Sequence, residues 1–236
     1  MTKGQVYLIP NVISDNTQED AIPLMVRSAI LKTDIFLVEN LRTARRFISS
    51  LNLGLVIDEL DFHLLDKRTD FDTCVDYLQW ALEGKTLGVL SESGCPGIAD
   101  PGALLVHVAH QFGITCKPLV GPSSLLMALM ASGMNGQSFA FHGYLPIDRK
   151  ERQKRILELE RESRAKDQTQ IFMDTPYRNE QLLEDILKVA GKNTFLCIAR
   201  DITGRREKII TRSVSKWKRG DIELNKIPAL FLLYGN

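Results

Sequence analysis

The sequence predicts an α/β protein of two domains, 1–118 and 119–236, on three observations. Short apolar runs alternate with longer segments of helical periodicity, the pattern of βαβ units and a mainly parallel sheet covered by helices. The length of 236 residues suits one large α/β domain or two of roughly 100 residues each, and a junction falls near Lys117–Val120. The stretches rich in glycine, proline and polar residues follow the apolar runs, where ligands of open α/β sheets bind.

In chain order, strands are expected at Val6–Ile9, Ile35–Val38, Thr86–Leu90 and Ile114–Leu119. Helices separate them at Gln18–Lys32, Arg42–Leu51, Phe71–Leu82 and Ala103–Phe112. In "GPSSLLMALMASG" Pro122 and Ser123 supply the turn and cap for a helix over Ser124–Ser132. Further strands are expected at Phe139–His142, Thr169–Asp174, Thr194–Arg200, Lys208–Arg212 and Ala229–Tyr234, with helices at Lys150–Lys166 and Asn179–Val189. There is no internal repeat and no low-complexity tract.

Thirty basic residues against 29 acidic ones leave a net charge of +1, so any polyanion must be met by a local patch rather than by a global field. Cys74, Cys95, Cys116 and Cys197 lie far apart without a C-x-x-C pair, which argues against a zinc site or a disulfide framework and for reduced cytoplasmic thiols. His63, His107 and His110 carry no ligand spacing, and no metal is expected. The opening "MTKGQVYLIP" is too short an apolar run for a signal peptide, and no run of about 18 apolar residues predicts a membrane span.

The stretch "LSESGCPGIADPG", residues 90–102, is the most unusual. Gly94, Gly97 and Gly102 match neither a Walker loop nor a dinucleotide fingerprint, and no lysine or arginine lies between Ser91 and Gly102. Glu92 and Asp100 would repel a phosphate but tolerate a ligand that is neutral or cationic at its reacting end. The structural alternative is a tight connection needing positive φ, and the position after a strand favours the ligand.

"LGVLSESGCPGIADPGALLVHVAHQFGITCKPLVGPSSLLMALMASGM" and the following "FAFHGYLP" resemble the core of the tetrapyrrole methylase superfamily of S-adenosylmethionine-dependent methyltransferases. Within it they are most similar to the branch that 2'-O-methylates a cytidine ribose of small-subunit ribosomal RNA. In that branch the loop reads S-D-A-G-T-P-x-I-S-D-P-G and aligns without a gap. "VYLIPNVISDN", "VENLRTARRF", "FMDTPYR" and "IARDIT" resemble further segments of the branch, in its order and over nearly the whole chain. The resemblance implies two α/β domains with S-adenosylmethionine in the cleft between them, a homodimer, and ribosomal RNA or the small ribosomal subunit as partner. Carried over by position, the cofactor shell comprises Pro10, then Ser93, Gly94, Cys95 and Ile98, then Ser123 and Ser124. It continues with Met173 and Asp174, Ile202, and Pro228 with Ala229.

Three departures accompany the resemblance. "PNVISDN" keeps Pro10 and Asn16 of the branch's T-P-I-G-N element but has no glycine, Glu92 replaces an Asp, and Cys95 replaces a Thr. The branch also continues with a short basic tail domain, whereas this sequence ends at Asn236.

A ribose hydroxyl needs a base, and Glu39 and Asp100 are the catalytic candidates, with Glu92 a third carboxylate on a strand-end loop. Asp100 has an alternative as cap or turn residue before Ala103. Arg42 and Arg178 are the substrate-binding candidates, and Arg45 and Arg46 share the same reading against that of a solvated helix face. "RREKIITRSVSKWKR" offers a phosphate-and-stacking patch around Trp217, or a solvent-facing hairpin, and "RKERQKRILELERESRAK" reads as a solvated amphipathic helix. His142 and Tyr144 either pack or meet substrate. Two other functions remain open: a methyltransferase of the same fold acting on a tetrapyrrole or other small molecule, and a nonenzymatic S-adenosylmethionine-binding module.

Overall fold

A computed structural model describes residues 2–235. The chain divides into two compact units, the first ending at Ser123 and the second beginning at Ser124.

The first unit runs β1 (Gln5–Ile9), α1 (Gln18–Ala21), α2 (Leu24–Ile30), β2 (Ile35–Val38), α3 (Leu41–Ser50), β3 (Asp61–Leu64), α4 (Phe71–Leu82), β4 (Leu87–Leu90), α5 (Ala103–Gln111) and β5 (Thr115–Pro118). Its strands pair in parallel in the order β3-β2-β4-β1-β5. Inner strands of such a sheet are covered on both faces, and β2 and β4, IFLV and LGVL, are buried at every position.

The two faces carry separate cores. Ile9, Phe36, Val38 and Leu90 pack with Val26 and Ile30 of α2 and Phe47 and Ile48 of α3. Val6, Leu37, Leu87 and Val89 pack with Leu78 of α4 and Leu105 and Val108 of α5. The chain therefore leaves β1 towards one face and its neighbour β4 towards the other. Adjacent parallel strands whose connections diverge leave a crevice at their carboxyl ends, the ordinary ligand position in this class of sheet.

Two expectations are corrected here. The helix expected over Gln18–Lys32 is broken at Pro23, which stands at ψ 153° as the residue before α2 and leaves Ile22 extended. Strand β3 was not expected, because Asp61–Leu64 begins with a charge and lies at the sheet edge, half exposed, so it needs no apolar run.

The second unit runs α6 (Ser124–Ser132), β6 (Phe139–Tyr144), α7 (Arg149–Lys166), β7 (Thr169–Met173), α8 (Asn179–Val189), β8 (Phe195–Arg200), β9 (Lys208–Ser213) and β10 (Ala229–Tyr234). Its sheet, ordered β6-β7-β10-β8-β9, is mixed rather than mainly parallel. Only β6 and β7 run parallel among the described pairings, because β10 inserts antiparallel between β7 and β8. Ile156 and Leu159 of α7 and Leu182 and Ile186 of α8 cover one face, packing on Phe172, Ile198 and Phe231.

Helix α7 has the solvated face expected of an amphipathic helix, but its inner face also buries charge. Arg152 and Glu160 are buried in it, 2% and 5% exposed, although every heptad carries several charges. Arg152 donates to Asp185 from Nε at 2.9 Å and from Nη2 at 2.6 Å, while Arg149 and Gln153 reach the same carboxylate at 2.8 and 2.6 Å. Burial pushes the Asp185 carboxyl up, but these donors together hold it below the usual carboxylate range. Trp217 is likewise a core residue: its ring is 5% exposed and its Nε1 donates to the Leu196 carbonyl at 3.1 Å, so it is not a stacking surface for RNA. No helix among the described residues is long and apolar enough to cross a membrane.

Removing one partner of a buried pair leaves the other charge uncompensated. Asp185→Ala is expected to lower unfolding free energy by about 3–5 kcal/mol through the stranded Arg152 guanidinium, as read from chemical denaturation. A loss below about 1 kcal/mol would contradict this account of α7.

Candidate functional site at the strand ends of the first unit

Register determines which loops meet. Ile9 pairs with Leu90, and Leu90 with Val38, so Pro10, Ser91 and Glu39 leave three adjacent strands at one level, about 5 Å apart strand to strand. On the other side of β1, Leu8 pairs with Pro118, and the Leu119 N–H donates to the Leu8 carbonyl at 3.1 Å, which brings Val120–Ser123 to the same end.

Asn11 fastens these loops together. It is 1% exposed; its main-chain N–H donates to the Gly94 carbonyl at 2.8 Å, and its Nδ2 donates to the carbonyls of Ser91 and Glu92 at 3.0 and 3.1 Å. Its Oδ1 accepts the Val12 N–H at 2.8 Å. Ser91 Oγ donates within the turn to the carbonyls of Ser93 and Gly94. Gly94 stands at φ +67°, a conformation that admits glycine freely and a β-branched residue hardly at all. Across the crevice a Cβ on Gly121 would lie 2.2 Å from Pro10 Cβ, so only glycine lets the two loops approach this closely. Asn11 and Gly121 were not among the expected site residues.

The Cys95 thiol, raised by burial, stays protonated and donates to the Pro122 carbonyl at 3.4 Å. It therefore supplies the tether that a threonine hydroxyl would give. Asn11 and Gly94 form an isolated antiparallel bridge, and the N–H groups of Ser93 and Cys95 donate to no other described residue. Ile98 is exposed on the far part of the loop, and Ser123 closes the unit.

Three carboxylates gather on this end. Asp100 is partly buried, and its desolvation, with the charges of Glu39 and Glu92, pushes its pKa up to about 6. Burial and the charges of Glu92 and Asp66 also raise Glu39, against a main-chain hydrogen bond from Glu92 and the charge of Lys67. The capping role open to Asp100 is not used: α5 begins after Gly102, with no side-chain cap. Asn40, not Glu39, caps α3, accepting the Arg42 and Thr43 N–H groups at 3.0 and 3.2 Å. Thr43 Oγ1 donates to Glu92 at 3.1 Å. Arg45 and Arg46 pair with Asp58 and Asp15, whereas the exposed Arg42 guanidinium has no acidic partner among the described residues.

In the second unit Met173, Ile202, Pro228 and Ala229 fall at one sheet end. Met173 ends β7, Ile202 follows β8, and Pro228 and Ala229 open β10, where Leu230 pairs with Met173 and Ala229 with Arg200. Ser124 begins α6. Asp174 and Arg178 bind each other: Arg178 Nε and Nη2 reach Asp174 Oδ1 at 2.8 and 2.5 Å, while Oδ2 is buried without a partner among the described residues. His142 takes a structural part, held at Nε2 by Gln170 at 2.6 Å and at Nδ1 by Arg155 at 3.3 Å.

Comparison with known proteins places the chain. Residues 19–217 match the model of the Tetrapyrrole (Corrin/Porphyrin) Methylases. Over 233 residues the chain is 30% identical to Ribosomal RNA small subunit methyltransferase I of Vibrio cholerae serotype O1, spanning 98% of this chain and 77% of that protein. The fold is similar to the methyltransferase CobJ, with a TM-score of 0.65 at 19% identity over 98% of this chain and 94% of that one. It is also similar to uroporphyrin-III C-methyl transferase from Thermus thermophilus complexed with S-adenyl homocysteine, with a TM-score of 0.58 at 16% identity over 98% and 97%. The match over most of its length establishes that this chain belongs to the tetrapyrrole methylase family.

Proposed function

We propose that the protein is an S-adenosylmethionine-dependent methyltransferase that 2'-O-methylates a ribose of small-subunit ribosomal RNA, working in the cytoplasm as a homodimer. The observation that carries the cofactor reading is the Ser93–Cys95 turn, where the Ser93 and Cys95 N–H groups have no partner among the described residues and the loop's own charged side chains are the carboxylates Glu92 and Asp100. Such a site suits a ligand without phosphate whose reacting centre is a cation. The choice of RNA over a tetrapyrrole is supported by the name of the 30% identical relative.

S-adenosylmethionine, when bound, supplies an activated methyl group on a sulfonium. Ser93, Gly94 and Cys95 offer main-chain groups to its polar ends, beside Pro10, Ile98 and Ser123. Alignment of the acceptor oxygen with the methyl group accounts for most of the acceleration in such a transfer. Asp100 takes the hydroxyl proton, Glu39 keeps Asp100 basic by its charge and stands as the alternative base, and Arg42 meets an RNA phosphate. Arg178 serves the substrate through its hold on Asp174.

The experiment that tests the function is mapping of 2'-O-methyl groups on small-subunit ribosomal RNA from cells with and without the gene. One ribose is expected to lose its methyl group and to regain it on incubation with protein and S-adenosylmethionine; an unchanged map overturns the RNA reading. The proposed base has a pH signature. Asp100 must be ionised, so kcat/KM is expected to fall about tenfold per unit below pH about 6. Asp100→Asn is expected to lower kcat by about 10²-fold or more and to abolish that acid limb. Because folding raises this carboxyl's pKa, its ionisation disfavours the folded state as pH rises through about 6, and the Asn variant is expected to be no less stable at pH 7.

A further inference from the structure

Beside the Asn11–Gly94 junction the first unit opens a pocket of ≈ 300 Å³. Its apolar part is Val12, Ile13 and Phe47, and it shares Asn11 and Glu92 with the loop read above as the cofactor site. Most polar groups around it are engaged. Arg46 pairs with Asp15 at 3.3 Å, Thr43 with Glu92 at 3.1 Å, and Ser50 Oγ donates to the Phe47 carbonyl at 2.7 Å. The exceptions are Asn16 and Gln18, whose side-chain amides make no hydrogen bond to another described residue.

A primary amide presents a donor and an acceptor side by side, the complement of the edge of a heterocyclic base. The two acids and one arginine of the lining leave no excess of cations for a phosphate. Val12 and Ile13 offer apolar surface to a planar ring, and the volume holds one nucleobase. There is also a geometric demand. A ribose hydroxyl brought to a methyl donor on the Ser93–Cys95 turn carries its base with it, and the pocket that shares Glu92 with that turn lies next to it.

We propose that this pocket receives the unstacked base of the acceptor nucleotide and that Asn16 and Gln18 read its hydrogen-bonding edge. The proposal rests on the ribosomal RNA reading and deepens it. Asn16 stands at φ +62°, so Asn16→Gly removes the amide while keeping the backbone conformation, and Gln18→Ala removes the other on the surface of a short helix.

The test uses the intact protein, small-subunit RNA transcripts and four versions of the acceptor base. Each variant is expected to raise KM for RNA about tenfold and to lose discrimination among the four bases, while affinity for S-adenosylmethionine by calorimetry stays that of wild type. Folded variants with unchanged RNA KM and unchanged base preference overturn the pocket assignment and leave the RNA reading standing. Wild-type protein that methylates none of the transcripts overturns both.

Discussion

The site depends on one buried asparagine. In the parallel sheet, β1 and β4 lie side by side, yet their connections go to opposite faces, so nothing in the sheet ladder holds the two following loops together. Asn11 does so, with a main-chain hydrogen bond to Gly94 and two side-chain hydrogen bonds to the carbonyls of Ser91 and Glu92. Each such bond contributes about 1 kcal/mol net, but losing the amide would leave the buried Ser91 carbonyl without this donor, a larger cost. The close approach of Gly121 to Pro10 and the thiol tether from Cys95 to Pro122 complete the same junction from the β5 side.

From that junction the chemistry follows by placement. Strand register brings Glu39 and Ser91 out at one level, and the loop returns Asp100 close enough to feel both Glu39 and Glu92. Partial desolvation and the charges of Glu39 and Glu92 push the Asp100 carboxyl up to about 6, which suits the proposed role as base. The same negative charge that disfavours a phosphate is compatible with a sulfonium, and the unengaged N–H groups of Ser93 and Cys95 leave polar capacity for the uncharged parts of the proposed ligand.

Much of this was legible in the sequence because buried parallel strands must be written as apolar runs. IFLV and LGVL could be read directly, and with them the loops that follow. What escaped were features decided by tertiary partners. Asp61–Leu64 becomes a strand only because β2 offers it an edge, and α7 buries Arg152 only because Asp185 is there to receive it. Trp217 sits in a run of basic residues whose charges stay outside while its ring turns into the core. The roles of Asn11 and Gly121 depend on distances between loops 80 or more residues apart in the chain, which no local pattern records.

On the reading proposed above, the turn at Ser93–Cys95, held by Asn11, is a cofactor site and not merely a tight connection. Calorimetric titration of S-adenosylmethionine into wild-type protein and into Gly94→Val tests it most directly, because a β-branched residue at φ +67° must distort this turn. The wild type is expected to bind, and a Gly94→Val protein that still unfolds cooperatively is expected not to. Equal affinity in the folded variant would contradict it.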